Sequence, residues 1–341
     1  MDCPVCGNDC VVSAHELLAN LDSVFAPCPG CRARVLEKRA PLPSRFFEPP
    51  CSCGKRFIDE VFAHIYVILV EEEVFTGTEP LAKVGMPLIH PGFFMTKPPY
   101  LPSRSLVLLS RVINRPVAIR IASEVPEIKG IVKSGDYVPG IAMGVGGTPR
   151  NYELLAGCDV RANIFPCSGG PVVLYQQQSL IHIEFPRNYN PKIESVEKKL
   201  RGPHPPLFVD AACGTGTLGL VAARTGAPRV VLNDAWFAAA FWSAFNVKVN
   251  LEFFAAEEVV FHVSYRDMEA VPVREEPLLV AETEGKQIIT VYQGDFNRLW
   301  QVLPDEPVLA VLDLFDKENK QLINRVMSGW REHVSGEVFI P

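Results

Sequence analysis

Phe208-Val-Asp-Ala-Ala-Cys-Gly-Thr-Gly-Thr-Leu-Gly219 is followed by Val230-Val-Leu-Asn-Asp234, and these two runs decide how the chain is read. An apolar strand ends in the carboxylate of Asp210, passes through a glycine turn and enters a helix. A second apolar strand then ends in Asp234. Gly214 and Gly216 carry no side chain, so the backbone there can bend sharply and approach a ligand. A helix starting near Thr217 points its free N–H groups and positive dipole end at the same spot. Leu218, Leu220, Val221, Ala222 and Ala223 support that helix, and Gly226 with Pro228 beyond it ends it. Asp234 sits where a carboxylate accepts hydrogen bonds from both hydroxyls of a ribose. This order predicts an α/β, doubly wound, Rossmann-like sheet that holds a nucleoside-derived cofactor.

Two cofactors fit the pattern. Gly214-x-Gly216-x-x-Gly219 with a later acid satisfies the dinucleotide fingerprint, which implies an NAD(P)-dependent oxidoreductase. S-adenosylmethionine is favoured by three features. Asp210 stands just before the turn, where a dinucleotide site must admit a pyrophosphate. Cys213-Gly-Thr-Gly216 has a wording common in methyltransferases. Val291-Tyr-Gln-Gly-Asp295 and Val308-Leu-Ala-Val-Leu-Asp313 supply two further strand-end carboxylates.

On these residues, positions 185–341 resemble class I S-adenosylmethionine-dependent methyltransferases. Asn233-Asp234-Ala235 and Asn246-x-Lys248-x-Asn250 are similar to motifs of the tRNA guanine methyltransferases. The resemblance implies that Asp210 lies near the methionine amino end and that Cys213, Gly214, Thr215 and Gly216 form the close turn. Asn233, Asp234 and Ala235 would surround the ribose, and Gly294 and Asp295 the adenine. Leu314 and Phe315 would border the methyl-transfer point. An acceptor that must lose a proton needs a base. Asp313 is the first candidate and Asp316 the second, although Asp316 reads equally well as a helix N-cap.

The chain departs from the family pattern in three places. Leu312-Asp-Leu-Phe-Asp316 stands where Asn/Asp-Pro-Pro-Tyr would serve exocyclic amines. After Asp313 there is room only for a helix at 317–333 and one strand at 338–340. The usual final antiparallel pair is missing from its place, and 172–175 with 180–185 are candidates to replace it. Between 251 and 289 an inserted β pair is expected, with 278–281 running back against 288–291.

Seven of the ten cysteines precede residue 54. Cys3-Pro-Val-Cys6 and Cys28-Pro-Gly-Cys31 are two Cys-x-x-Cys knuckles whose four thiolates suit a tetrahedral Zn2+. Cys10, Cys51 and Cys53 form a second candidate set, with His15 or His64 to complete it; the alternative is substitution within one site or buried thiols. A redox dithiol would open a thioredoxin-like helix, and none is visible. Cys158, Cys167 and Cys213 are scattered and read as structural. Residues 1–56 thus read as a zinc ribbon in which metal replaces a core. No secretory signal precedes the first knuckle, so reduced thiols and a cytoplasmic location are expected.

The middle segment, 57–185, reads as a mixed β-rich domain that covers the donor and recognises substrate. Residues 65–70, 106–109, 117–121 and 172–185 have the β-branched content of strands. The Rossmann-like domain occupies 186–341, with a helix at 192–200. Asn188, Tyr189 and Asn190 are candidate pocket lining or simply turn residues. Arg187, Lys192, Lys198, Lys199 and Arg201 read as a solvated basic face. His182 and His262 read as structural, and His204 as linker.

The 341 residues are 48% hydrophobic with a net charge of −6, so no global basic field attracts a polyanion. No apolar run reaches membrane-spanning length, so no membrane partner is expected. No nucleophile elbow points to a hydrolase. The methyl acceptor is left open among RNA, protein and a small metabolite. A non-enzymatic zinc-ribbon adaptor is the remaining alternative.

Overall fold

The computed structural model describes residues 1–144, 147–202 and 205–341. His204 lies outside them, as do positions 145 and 146. The first 55 residues form only two short helices, α1 (Ala14–Ala19) and α2 (Leu21–Val24). This segment does not pack as one ribbon. Cys3, Val11, Ala14 and Leu17 are buried in the core of the C-terminal half. Phe25 and Leu36 are buried in a second core beneath the middle segment.

That second core is built by β1 (Arg56–Phe57), α3 (Ile58–Glu71), β2 (Met86–Ile89), β3 (Tyr100–Leu101), β4 (Leu106–Ser110), α4 (Arg115–Glu124), β5 (Ile128–Lys133) and β6 (Glu153–Gly157). A four-stranded sheet runs β2-β4-β5-β6. β4 and β5 are parallel, with α4 between them in the chain, and the two outer strands are antiparallel.

Two expected strands are helices. Residues 65–70 lie inside α3, where every residue from Asp59 to Val70 is buried. A helix apolar on all sides is a core helix, and full burial overrides the β-branched preference. Residues 117–121 lie in α4. Its start is marked by Asn114, whose side chain accepts from Val117 N at 3.1 Å, and by Pro116 in the first turn. That cap signal outweighs strand composition.

Buried charges fasten this half. Arg56 donates to both oxygens of Glu127, at 3.0 and 2.6 Å, and the two side chains are 2% and 0% exposed. Asp59 accepts from Leu36 N at 2.8 Å and pairs with Lys38. Glu60 pairs with Arg34 and accepts from Glu48 N at 2.7 Å. The first turn of α3 thereby holds the loop that follows the second knuckle.

β7 (Val160–Phe165) and β8 (Val172–Gln177) form a separate antiparallel hairpin, buried throughout. Their side chains belong to the core of the C-terminal half. By packing, the hairpin groups with that half, although a division at residue 186 would group it with the middle segment.

The C-terminal half runs α5 (Pro191–Lys199), β9 (Phe208–Asp210), α6 (Thr217–Thr225), β10 (Arg229–Asp234), α7 (Phe237–Val249), β11 (Ala256–Phe261), α8 (Tyr265–Glu269), β12 (Leu278–Gly285), β13 (Ile288–Gln293), β14 (Val308–Val311), α9 (Lys320–His333) and β15 (Gly336–Phe339). The seven strands are ordered β11-β12-β13-β10-β9-β14-β15. The five from β13 to β15 are parallel. β9 sits at the centre. The chain winds from it toward β13 on one side, then crosses to β14 on the other. That reversal is the topological switch point of a doubly wound sheet. β12 and β13 form the inserted antiparallel pair read from the sequence, and β11 extends it to the edge.

Residues 172–175 do not replace a final strand of this sheet. β8 is paired with β7, and residues 180–185 form no strand. The other edge of β8 is satisfied by two amides of α7. Asn246 accepts from Tyr175 N at 2.7 Å and donates to Tyr175 O at 2.9 Å. Asn250 does the same at Val173, at 2.9 and 2.6 Å. Two residues along a strand span about the same 6 Å or so as four along a helix, so an i, i+4 pair of asparagines matches alternate strand positions. This is the structural use of Asn246-x-Lys248-x-Asn250. No described helix is long and apolar enough to cross a membrane.

Candidate active site

A cavity of about 540 Å³ opens at the carboxyl ends of the central strands. It lies at the switch point, where doubly wound sheets bind ligands. The glycine turn forms its floor. Gly214 (φ 55°) and Gly216 (φ 93°) are both left-handed, and Gly216 caps α6. A Cβ on Gly214 would meet only His182 Cε1, at 3.9 Å, so this stretch of backbone faces open space. A Cβ on Gly219 would lie 2.1 Å from Leu232 Cδ2. The third glycine therefore serves close contact between helix and sheet.

Two acids flank the turn. Asp234 accepts from Gly214 N at 3.0 Å and from Trp236 N at 2.9 Å. Asp210 accepts from Gly219 N at 2.9 Å through one oxygen, while its buried Oδ1 has no partner among the described residues. Burial pushes the Asp210 carboxyl up to about 8, opposed by the Gly219 amide and reinforced by nearby Asp313 and Asp234. Burial also pushes Asp234 up to about 6, opposed by its two backbone amides. The Cys213 thiol lies at the cavity wall and is raised well above its ordinary value by burial and by both acids.

Of the residues read from the sequence, Asp210, Cys213, Gly214, Asp234, Ala235, Gly294, Asp313, Leu314 and Phe315 line the cavity. Others do not. Thr215 and Gly216 lie behind the turn, where Thr215 O accepts from Asn246 at 3.0 Å. Asn233 is buried and ties two strand ends together, donating to Ala211 O at 3.0 Å and Gly294 O at 2.9 Å. Asp295 turns away to cap the short helical turn after β13, accepting from Asn297 N at 2.9 Å. Asp316 is exposed and is not the cap of α9; Asn319 fills that position.

Asp313 is not a free carboxylate. Lys192 Nζ donates to it at 2.7 Å. Lys317 Nζ lies 2.8 Å from its other oxygen, off the line of a hydrogen bond. Tyr189 and Asn190 line the cavity, as does Lys192 in the first turn of α5.

The sequence reading missed His182, Glu184, Trp236 and Phe296, all of which line the cavity. His182 Nε2 lies 3.1 Å from Glu184 Oε1, and the imidazole stands edge-on to Phe315 with ring centroids 5.4 Å apart. Their signal was the spacing of two, which puts both side chains on one side of an extended segment.

The cysteines do not form the expected tetrad. Cys3 and Cys6 gather with Cys10 and Cys158; Cys28 and Cys31 gather with Cys51 and Cys53. The reason is the divided core: residues 3–17 pack on the C-terminal half and residues 25–36 on the middle one. Cys158, expected to be merely structural, belongs to the first group.

No family model and no curated protein matches the chain. It is similar to solved structures of methyltransferases. One is the tRNA m1G37 methyltransferase of M. jannaschii, 12% identical over 81% of this chain and 64% of that one, with a TM-score of 0.38. Another is TYW2 of P. horikoshii in complex with MeSAdo, 16% identical over 74% and 71%, with a TM-score of 0.36. A third is the SAM-dependent methyltransferase of Agrobacterium tumefaciens, 14% identical over 69% and 66%, with a TM-score of 0.33. The chain spans just under two thirds of two of these three. At such similarity the chemistry has to be read from the cavity itself.

Proposed function

We propose that this chain transfers a methyl group from S-adenosylmethionine to a base of RNA. The observation that carries the donor half is the buried, unpartnered Oδ1 of Asp210 beside the bare backbone of Gly214. An unsatisfied buried polar atom calls for a partner, and a ligand's ammonium is a fitting one. Asp210 would take the amino group of the donor, and Asp234 the ribose hydroxyls. Gly294 and Phe296 would border the adenine. When bound, S-adenosylmethionine supplies an electrophilic methyl group on a sulfonium. A dinucleotide fits less well, because two acids, buried Asp210 and half-buried Asp234, flank the turn where its pyrophosphate would lie.

The chain's own residues then have separable tasks. Asp210 and Asp234 bind and orient the donor, which is the main source of rate in an in-line displacement. Asp313 holds Lys192 and Lys317 at the rim. A proton leaving a ring nitrogen has two acceptors there, Asp313 and the imidazole of His182 backed by Glu184.

The acceptor half rests on the cavity mouth. Phe185, Tyr189 and Phe315 are 51, 60 and 65% exposed, and Arg187 and Lys192 line the same cavity. Flat aromatic faces interleaved with cations suit a base lifted out of its stack. Incubation with methyl-labelled S-adenosylmethionine and total cellular RNA or protein tests this. Ribonuclease-sensitive label, lost in Asp210→Asn, is expected. Protease-sensitive label would overturn the RNA assignment, and no incorporation into any fraction would overturn the activity.

A further inference from the structure

The two cysteine clusters lie outside the cavity, and the proposed reaction uses neither. In the first, Cys6 and Cys10 sulfurs are 3.4 Å apart, Cys10 and Cys158 3.6 Å, and Cys3 and Cys158 3.9 Å. In the second, Cys28 and Cys51 are 3.6 Å apart, Cys28 and Cys31 3.7 Å, and Cys31 and Cys53 3.5 Å. Within each cluster all four sulfurs fall within 4.8 Å of one another. A tetrahedron with metal–sulfur bonds of about 2.3 Å has edges of about 3.8 Å. Disulfides would instead bring sulfurs together two by two at about 2.05 Å. The local backbone is shaped for ligation as well. Gly7 (φ 69°) and Gly54 (φ 80°) turn the chain after Cys6 and Cys53, and Cys28 N donates to Cys31 Sγ at 3.4 Å.

The first cluster has a further feature. Lys129 is 4% exposed. It forms no ion pair or side-chain hydrogen bond with the described residues. It lines a cavity of about 250 Å³ together with Cys10, Asp9, His90, Arg104 and Tyr175. The nearby acids do not pair with it: Asp159 accepts from Ser179 N at 2.7 Å, and Asp9 makes no ion pair. An ammonium at the wall of a small cavity, with no direct ion-pair partner, gains from a negative charge placed beside it. Four thiolates around a divalent ion carry a surplus of two negative charges, which would supply one.

We propose that the chain binds two Zn2+ ions in separate tetrathiolate sites, one held by Cys3, Cys6, Cys10 and Cys158 and the other by Cys28, Cys31, Cys51 and Cys53. Lys129 offsets the charge of the first. That first ion is a long-range fastener. Cys158 sits in the turn between β6 and β7, and its amide donates to Lys129 O at 2.8 Å. The ion thereby pins the N-terminal arm to the hairpin that shares its core with α6 and α7. The second ion closes a local loop near the surface.

Elemental analysis of the purified full-length chain tests this. Two zinc ions per chain are expected, falling to one in Cys158→Ser and to one in Cys53→Ser. Lys129→Met keeps both sets of thiols and should release one zinc to a chromophoric chelator about tenfold faster. One zinc in the unaltered protein, two retained in Cys158→Ser, or iron in place of zinc would overturn the assignment. Should Cys158→Ser fail to fold, zinc-edge X-ray absorption of the unaltered protein decides. Four sulfurs at about 2.3 Å per ion are expected, and nitrogen or oxygen in the average shell contradicts it.

Discussion

The strand-edge cavity and the N-terminal half are assembled by opposite means. The cavity floor comes from residues close in sequence. Asp210 accepts from Gly219 N, and Asp234 from Gly214 N and Trp236 N, at 2.9 to 3.0 Å. The N-terminal half is fastened by partners far apart in the chain: Arg56 with Glu127, and Cys3 and Cys10 with Cys158. Local assembly gives a site that tolerates variation elsewhere. Distant assembly makes stability depend on a few buried pairs.

The largest test of that contrast removes one distant partner. Glu127→Ala strands a guanidinium that is 2% exposed, which should cost about 3–5 kcal/mol of stability. Urea unfolding would show it, and an unchanged midpoint would mean that the pair does not secure the middle core. Asp234→Ala acts on the other region. It should weaken S-adenosylhomocysteine binding on the order of 100-fold, since hydrogen bonds to a charged acceptor contribute roughly 1.5–3 kcal/mol each. Calorimetry checks it, and unchanged affinity would remove the ribose assignment. Asn250→Ala probes the join between α7 and the β7–β8 hairpin. It leaves Val173 N and O without partners, at a cost of about 1–3 kcal/mol, with donor affinity nearly unchanged. A loss of donor binding greater than the loss of stability would place the asparagine pair in the site itself.

A further test is a pH dependence confined to the cavity. Folding raises Asp210 from 3.8 to about 8 and Asp234 from 3.8 to about 6. The folded chain therefore holds protons that the unfolded chain has given up. Their contribution to stability is fully present below about pH 4. It is lost as pH rises, through 6 for Asp234 and 8 for Asp210, with a slope of up to about 1.4 kcal/mol per pH unit for each. Unfolding midpoints at pH 5 and pH 8 should differ in that sense, and less so in Asp210→Asn. Equal slopes in the two proteins would mean that Asp210 is already ionised when the cavity is empty.

The same contrast explains what was legible in the sequence. The glycine turn, both flanking acids, the helix ending at Gly226 and the β12–β13 insertion were readable because each is set by neighbours along the chain. Residues 65–70 and 117–121 have strand-like composition yet fold as helices, since β-branched content is common to strands and buried helices and only the surrounding core decides. Asp295 was placed in the site by its strand-end position, but the next residues, Phe296 and Asn297, needed a cap more. The zinc tetrad was drawn from the nearest knuckles. Sequence spacing cannot report that residues 3–17 and 25–36 pack on different cores, nor that Cys158 lies beside the first. His182 and Glu184 went unseen because the segment that carries them comes from outside the motif-bearing half.

Calorimetric titration of the full-length chain with S-adenosylhomocysteine and, separately, with NAD and NADP tests the central claim most directly. One S-adenosylhomocysteine per chain, with affinity that rises between pH 6 and 8 as Asp210 ionises and no heat from either dinucleotide, is the predicted outcome. Saturable binding of a dinucleotide alone, or of none of the three, would contradict it.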